Sequence, residues 1–572
     1  MSRDAKEWFR NEVHFWRCLH SVAASLILQV FLTPVALLLL QFNLFCPFDG
    51  FTVWWTSFVD SPWYHICFLG AGFLMAAYQV TCVTVAPVVH RTRLAQAIHL
   101  GHPRNLGQAL LRAFAGGVFV RALLGIAGGS YAHLQRDCTE PSQFECLSEA
   151  HVFLVLHGAF TGVSLHLAQL AANRSCLAFP PIQVASMRMR LHIRQTMRHS
   201  AWDTFRKAYL FYLLYLVLGA GAKRWIAGDT DSTEWVGELQ SVWGLLDLDL
   251  FRALVVTGTA IRTLDQLAVQ LREYYLTKVH QFPIVAEYEA EEPMQMSMAM
   301  ASSGCAFLRY LSFLDFRHLA EHSAYRRAQA FAISPTGCRA LNWGALCGAC
   351  LELVSQFTQA LLQLETPAPA ARPLTTTPEA SQTLADSYLR MRKLAATTTQ
   401  ATPAYVVHPA PSPEPAPQKL SRVNRVLAAL KNKPLILHFI SELPDVKSRL
   451  LFADCQPLIW AIEGLCLLVC ASKREDKYGV VQFSLPNILG ALLELDQVLE
   501  RHSKRCASLR RPNSSSGREL RLAKTLKAAV TAGIYQITIT FQKSIGSVDL
   551  IEKAVVATAN CGFHPFRPML AS

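Results

Sequence analysis

Residue types able to do chemistry are present in this chain, but they are scattered. Cys347 and Cys350 form a C-x-x-C pair, the spacing of a redox motif or half of a zinc site, and no second pair accompanies them. They sit in an apolar stretch with helical spacing, where two small buried cysteines are the better reading. His133 and Asp137 stand four residues apart, within reach of each other for proton transfer, but at the end of an apolar run and without a nucleophile. His157 and His166 fall inside one long apolar run and Arg121 inside another. Ionisable groups in such runs are candidates for a transport path. A transporter would add acidic partners and broken helices arranged in repeats, and the first five runs hold no Asp or Glu in their interiors. Arg121 therefore reads as a packing or snorkelling residue. There is no Gly-rich phosphate loop, nucleophile elbow or paired metal motif in the sequence. No catalytic, cofactor-binding or metal-binding residue is assigned, and the expectation is a non-enzyme without cofactors.

The elements that would position these groups follow from composition. The 572 residues exceed one compact core; 52% are hydrophobic and only 17% charged, against about 25% charged in globular proteins. That excludes an ordinary soluble enzyme and a disordered chain. A net charge of +13 points to nucleic acid or to a membrane with basic loops in the cytosol, and the apolar runs favour the membrane. Sixteen cysteines in so long a chain exclude a disulfide scaffold.

A bilayer-spanning helix needs roughly 20 apolar residues. Runs of that kind occupy about 18–42, 62–89, 113–134 and 150–172, preceded by a tail at 1–17. A fifth, 208–222, is short before Lys223 and Arg224, which must snorkel if it spans. The sixth, 248–271, is interrupted by Arg252, Arg262 and Asp265. The N-terminal tail and two alternate loops carry 15 basic residues against three on the opposite face. This puts the N-terminus in the cytosol. The first run, long and flanked by charge, reads as a signal anchor rather than a cleaved peptide. Trp54, Trp55, Phe58, Trp63 and Tyr64 form an aromatic belt on the far side. Glycines such as Gly116, Gly117 and Gly125 crowd the third run and favour close helix packing. Cys138 and Cys146 lie in a non-cytosolic loop where a disulfide is permitted; two free thiols are the alternative. The sequons at Asn173 and Asn513 fall on the cytosolic side and read as chance.

Beyond Pro283 the chain changes character. Residues 283–365 read as soluble helices. Residues 366–420 hold ten of the 28 prolines and read as a disordered linker. Helical patterning fills a C-terminal domain at 421–560. Within it, the apolar stretch 458–471 is too short to span and reads as a buried core helix. Nine basic residues and one acid lie between Arg501 and Lys527. Of these, Arg510, Arg511, Arg518, Arg521, Lys524 and Lys527 are candidate lipid contacts on a basic amphipathic helix; the alternative is a solvated face of a packed helix.

The stretch Gln456-Pro-Leu-Ile-Trp460-Ala-Ile-Glu463-Gly464, with Tyr478-Gly479 and Leu485-Pro486, resembles the C-terminal signature of the nuclear division cycle (Ndc) family of transmembrane nucleoporins, in vertebrate-like form. Matching stretches include Leu177 to Gln183, Phe282-Pro283, Tyr310-Leu311 with Asp315, Arg326-Arg327, Asn342-Trp343 and Ile534 to Thr538. The resemblance implies an all-α fold: a polytopic six-helix transmembrane bundle followed by a soluble helical C-terminal domain split by the linker. It also supports a span at the sixth run, although the charges there depart from an ordinary span. It implies a structural protein of the pore membrane, with both termini cytosolic or nuclear, that supports pore assembly and hence protein and mRNA transport. The implied partners are an Aladin-like WD-repeat protein, an RRM-type inner-ring nucleoporin and the nuclear-envelope bilayer, with no direct nucleic acid. Trp460, Glu463, Gly464, Tyr478 and Gly479 are candidate docking residues; the alternative is that Trp460 is core and Gly464 permits close packing. A transporter or channel is the competing function.

Overall fold

The computed structural model describes residues 6–41, 49–129, 131–136, 145–179, 185–227, 233–236, 239, 247–284, 295–333, 340–365, 438, 441, 446–509 and 518–542. These are overwhelmingly helical. The linker at 366–420 lies outside them, as do Cys138, Asp137, Arg510 and Arg511.

The first half is a bundle. A π-helical turn, Phe9–His14, runs into α1 (Phe15–Leu40). Then come α2 (Asp49–Asp60), α3 (Pro62–Thr81), the short α4 (Arg93–Leu100), α5 (Pro103–Ala127), α6 (Glu149–Ala171), α7 (Ala185–Ala227) and α8 (Leu248–Leu276). Helix α1 packs on α8, α5 on α6, α3 on α5 and α7 on α8. Helices α5 and α6 cross at glycines: a Cβ on Gly116 would overlap the Gly158 carbonyl, and one on Gly162 the Arg112 carbonyl. Such contact lets backbones meet where apolar burial alone gives no drive between helices in lipid. Strand Glu145–Ser148 pairs antiparallel with Gln135–Arg136 and parallel with Thr233–Val236, tying the segment between α5 and α6 to the one between α7 and α8.

The second half is a separate helical core. It comprises α9 (Met296–Met300), α10 (Ala306–His322), α11 (Ala324–Phe331), α12 (Leu341–Glu365), α13 (Val446–Ala453), α14 (Gln456–Glu475), α15 (Leu485–Leu509) and α16 (Arg518–Phe541), with a 3₁₀ turn at Val480–Phe483. Phe9, Val13, Leu177 and Leu276 of the bundle belong to the same buried cluster as Tyr310, Trp460 and Val530. The domain therefore docks directly against one end of the bundle.

Among the described residues, five helices are long and apolar enough to cross a membrane: Lys6–Leu40, Pro103–Ala127, Glu149–Ala171, Leu341–Leu364 and Gln456–Glu475. The last two are built into the second core. Leu346, Cys350, Val354 and Leu361 of α12 are buried there, as are Leu458, Ile462, Leu465 and Val469 of α14. Three of the expected spans, the second, fifth and sixth, are not among these five helices, and the last two of them differ further in detail. The fifth lies inside the 43-residue helix α7. Lys223 does not reach for solvent there but pairs with the fully buried Glu149 at 2.7 Å, whose carboxylate also accepts from Tyr215 and the Leu239 amide. The sixth is a continuous 29-residue helix, its N-terminal amides capped by Asp247.

Candidate anchoring seam and docking surface

The charges that interrupt α8 point inward. Asp265 pairs with Arg112 of α5 and accepts from Gln79 of α3 at 2.7 Å and Gln169 of α6 at 3.4 Å. Arg112 also donates to Gln169 at 2.8 Å and lies over the Tyr78 ring. One helical turn back, Arg262 pairs with Asp203 of α7 at 2.8 Å and donates to Ser164 of α6. Arg272 donates to the backbone carbonyls of Gln79 and Arg174. All three arginines are at most 2% exposed. Together these contacts form a polar seam that holds four helices, α3, α5, α6 and α7, against α8. Each buried charge is neutralised or hydrogen-bonded, the condition under which an apolar medium tolerates it. His166 joins this seam through the Tyr78 hydroxyl at 2.8 Å. His157 packs under Phe211. Arg121 and His133 are exposed.

In the sequence Arg112 stands just before the third apolar run and Asp265 interrupts the sixth. Their pairing joins positions 153 residues apart, and no local spacing encodes it. The one available signal was that an acid inside a spanning candidate needs a buried cation.

The junction between bundle and domain is built from several stretches that carry the family resemblance. Asp315 of α10, fully buried, accepts both guanidinium nitrogens of Arg326 at 2.7 Å and the Phe282 amide at 2.8 Å; Arg326 also donates to the Phe282 carbonyl. The chain leaving α8 is thus clamped to α10 and α11. Phe179, on the segment after α6, meets Trp460 edge-on at 5.1 Å and Tyr310 at 5.8 Å. The Tyr310 hydroxyl donates to Asp454 at 2.6 Å, and burial with that carboxylate pushes its ionisation well up. Arg327 grips Glu475 with two hydrogen bonds, which hold that carboxyl below its usual range. Trp343 donates its indole N–H to Ser484 at 2.9 Å.

The candidate docking residues divide. Trp460 is 3% exposed and forms part of the junction. Gly464 faces inward too: a Cβ there would sit 2.7 Å from the Phe316 ring. Glu463 lies on the flank of α14, paired with Arg317 at 2.8 Å, and burial raises its carboxyl despite that partner. Tyr478 is exposed, on a turn where Asp476 accepts from the Tyr478 and Val481 amides and Gly479 takes a φ of +67°. Phe483, not singled out from sequence, stands 87% exposed beside them in the chain. Cys347 and Cys350 are buried free thiols, and burial pushes Cys347 up to about 11 and raises Cys350 well above the ordinary thiol value; they are poor nucleophiles and poor metal ligands.

Of the candidate lipid contacts, Arg521 and Lys524 are exposed on α16, and Lys527 lies near Asp496. The opposite face, Leu522, Leu526, Val530 and Ile534, is core. Arg518 begins the helix. Cys146 lies on the central strand of the small sheet.

The model of the family described as Nucleoporin protein Ndc1-Nup matches residues 12–556. The chain belongs to this nucleoporin family. Similar relatives include Nucleoporin NDC1 of Danio rerio, 26% identical over 95% of this chain and 96% of that protein. Nucleoporin NDC1 of Homo sapiens is 26% identical over 93% and 94% respectively, and that of Xenopus laevis 25% over 93% and 96%. The family match spans both the seam and the junction.

Proposed function

We propose that this protein is a structural transmembrane nucleoporin that anchors the nuclear pore complex in the nuclear envelope and supports its assembly. Its N-terminal half crosses the membrane six times, with both termini on the cytosolic or nuclear side. Its C-terminal half recruits soluble nucleoporins, an Aladin-like WD-repeat protein and an RRM-type inner-ring nucleoporin among them. Protein and mRNA transport depend on it through pore integrity rather than through catalysis.

The family match over nearly the whole chain carries this reading. The architecture is consistent with it physically: apolar side chains such as Phe31, Leu110 and Val217 face outward on the bundle while its charges pair inside. A domain fixed rigidly at the membrane surface raises the effective concentration of weak partners. A cavity of about 200 Å³ in the bundle is lined mostly by apolar side chains such as Leu32, Phe68 and Leu123, which favours an anchor over a polar transport path. Imaging of the tagged protein beside a pore marker tests the reading. Punctate rim signal coincident with pores is expected; diffuse reticular or plasma-membrane signal overturns it.

A further inference from the structure

Helix α4 buries none of its eight residues. Thr92 caps it by accepting from the Ala95 amide at 3.0 Å. At 100° per residue, Leu94, Ala95, Ala97 and Ile98 share one face, and Arg93, Gln96 and His99 share the other together with Leu100 at the helix end. The polar face carries the helix's side-chain contacts: Arg93 Nη1 lies 2.9 Å from His438 Nδ1, and the His99 ring sits 4.8 Å from that of His90, just before the helix. The rotation of the helix is thereby set, and the apolar face looks outward with Ile98 60% exposed. A surface helix of a soluble domain would turn that face onto a core, as α16 does.

Two residues after α4 ends, α5 begins, and Asn105 donates back to the His99 carbonyl. Leu106, Leu110 and Phe114, at four-residue spacing on α5, are all exposed. They form the outer stripe of a helix apolar enough to cross a membrane. Outward apolar surface therefore starts on α4 and continues down α5. Arg91 and Arg104, both exposed, flank the short helix, and there is no acid from Arg91 to Arg112. An apolar face continuous with a spanning helix and rimmed by unopposed cations fits an anionic bilayer interface.

We propose that α4 lies in the plane of the cytosolic leaflet, with Leu94 and Ile98 among the upper acyl chains and Arg91 and Arg104 at anionic headgroups. This rests on the six-span reading, which puts the loop between α3 and α5 on the cytosolic side. The helix would fix the depth and tilt of α5, and so of the seam that Arg112 anchors more than two turns further in.

The test uses the full chain in vesicles of phosphatidylcholine and phosphatidylserine that carry a diazirine-bearing phospholipid. After photolysis and denaturation, trypsin cleaves at Arg93 and Arg104 and releases Leu94–Arg104; Ala113–Arg121, from the body of α5, reports on spanning. Both peptides are expected to carry lipid adducts. The double variant Leu94→Gln, Ile98→Gln is expected to lose most of the Leu94–Arg104 label and keep that of Ala113–Arg121, which also shows that the variant folds and inserts. Label on Ala113–Arg121 alone in the unaltered protein overturns the proposal and leaves the spanning reading standing. Label on neither peptide overturns the spanning reading and this proposal with it. Unchanged Leu94–Arg104 label in the double variant also overturns it, because contact would not run through the apolar face.

Discussion

The bundle and the C-terminal domain solve the same packing problem in opposite senses. In the domain, apolar side chains such as Phe316, Ile462 and Leu526 are buried; the ion pairs Arg327–Glu475 and Arg317–Glu463 lie at the margins, and the one between Arg326 and the buried Asp315 sits at the junction with the bundle. In the bundle, Ile27, Phe31, Leu110 and Val217 point outward while Arg112, Arg262, Arg272 and Asp265 are inside. Water explains the first arrangement, because burying apolar area is favourable only against water. A hydrocarbon surrounding explains the second, because charges have nowhere to go but toward one another. The two halves are thus built for two solvents, and they meet at Phe179, Phe282 and Trp460.

The contrast is tested most severely at Asp265. Asp265→Ala leaves Arg112 buried without its counter-charge and removes the acceptor for Gln79 and Gln169. A loss of roughly 4–5 kcal/mol is expected, the upper range for breaking a buried pair. It should be read as a collapse of the melting temperature in detergent, with much of it recovered in Arg112→Leu, Asp265→Leu. If the single variant melts like the unaltered protein, the seam does not hold the bundle together.

On the domain side the corresponding loss is of packing. Trp460→Ala should cost about 3 kcal/mol, in the range for deleting a buried aromatic ring. The decisive observation is where the damage falls: proteolytic susceptibility should rise in α10 and α14 but not in α5 or α6. A change confined to partner capture, with melting unaltered, would restore Trp460 as a docking residue.

These two sites also show what a single sequence can and cannot disclose. The helical nature of both halves was legible, because long apolar runs and three-to-four spacing are local signals. The seam was not, because Arg112 and Asp265 are far apart in the chain and each looks like an ordinary loop or defect charge alone. Helix α16 carries a basic and an apolar face, but periodicity does not say what covers an apolar face; here the domain's own core does. Helix α4 carries the same pattern over only eight residues, too few to stand out. The helical fold was thus readable, and contacts across it were not.

A smaller effect separates the two surfaces directly. Phe31 on α1 and Phe483 in the domain are both exposed aromatic side chains. Phe31→Arg should raise the cost of membrane insertion by about 3 kcal/mol on the translocon scale, seen as incomplete insertion of the first helix in microsomes. Phe483→Arg faces water and should shift stability by less than about 0.5 kcal/mol. Equal responses at the two positions would mean that both regions meet the same solvent.

The finest distinction lies within α14, between two carboxylates with opposite shifts. Glu475 is held low, first by its hydrogen bond from Arg327. Its stabilising contribution is therefore present above the unfolded carboxylate value of about 4.3 and fades as pH falls through the lower folded value. Glu463 is raised, first by burial. The folded state then binds a proton more readily than the unfolded chain, so this residue adds stability as pH falls through its raised value toward about 4.3. Glu475→Gln should cost about 0.5 kcal/mol at neutral pH, as for a partly exposed pair, and nothing once the carboxyl is protonated in both states. Glu463→Gln should remove the opposite slope, leaving melting less enhanced by mild acid. Melting curves of the two variants across acidic pH check this. Slopes of the same sign would show that Arg317 outweighs burial at Glu463, and that the flank of α14 is as well solvated as its end.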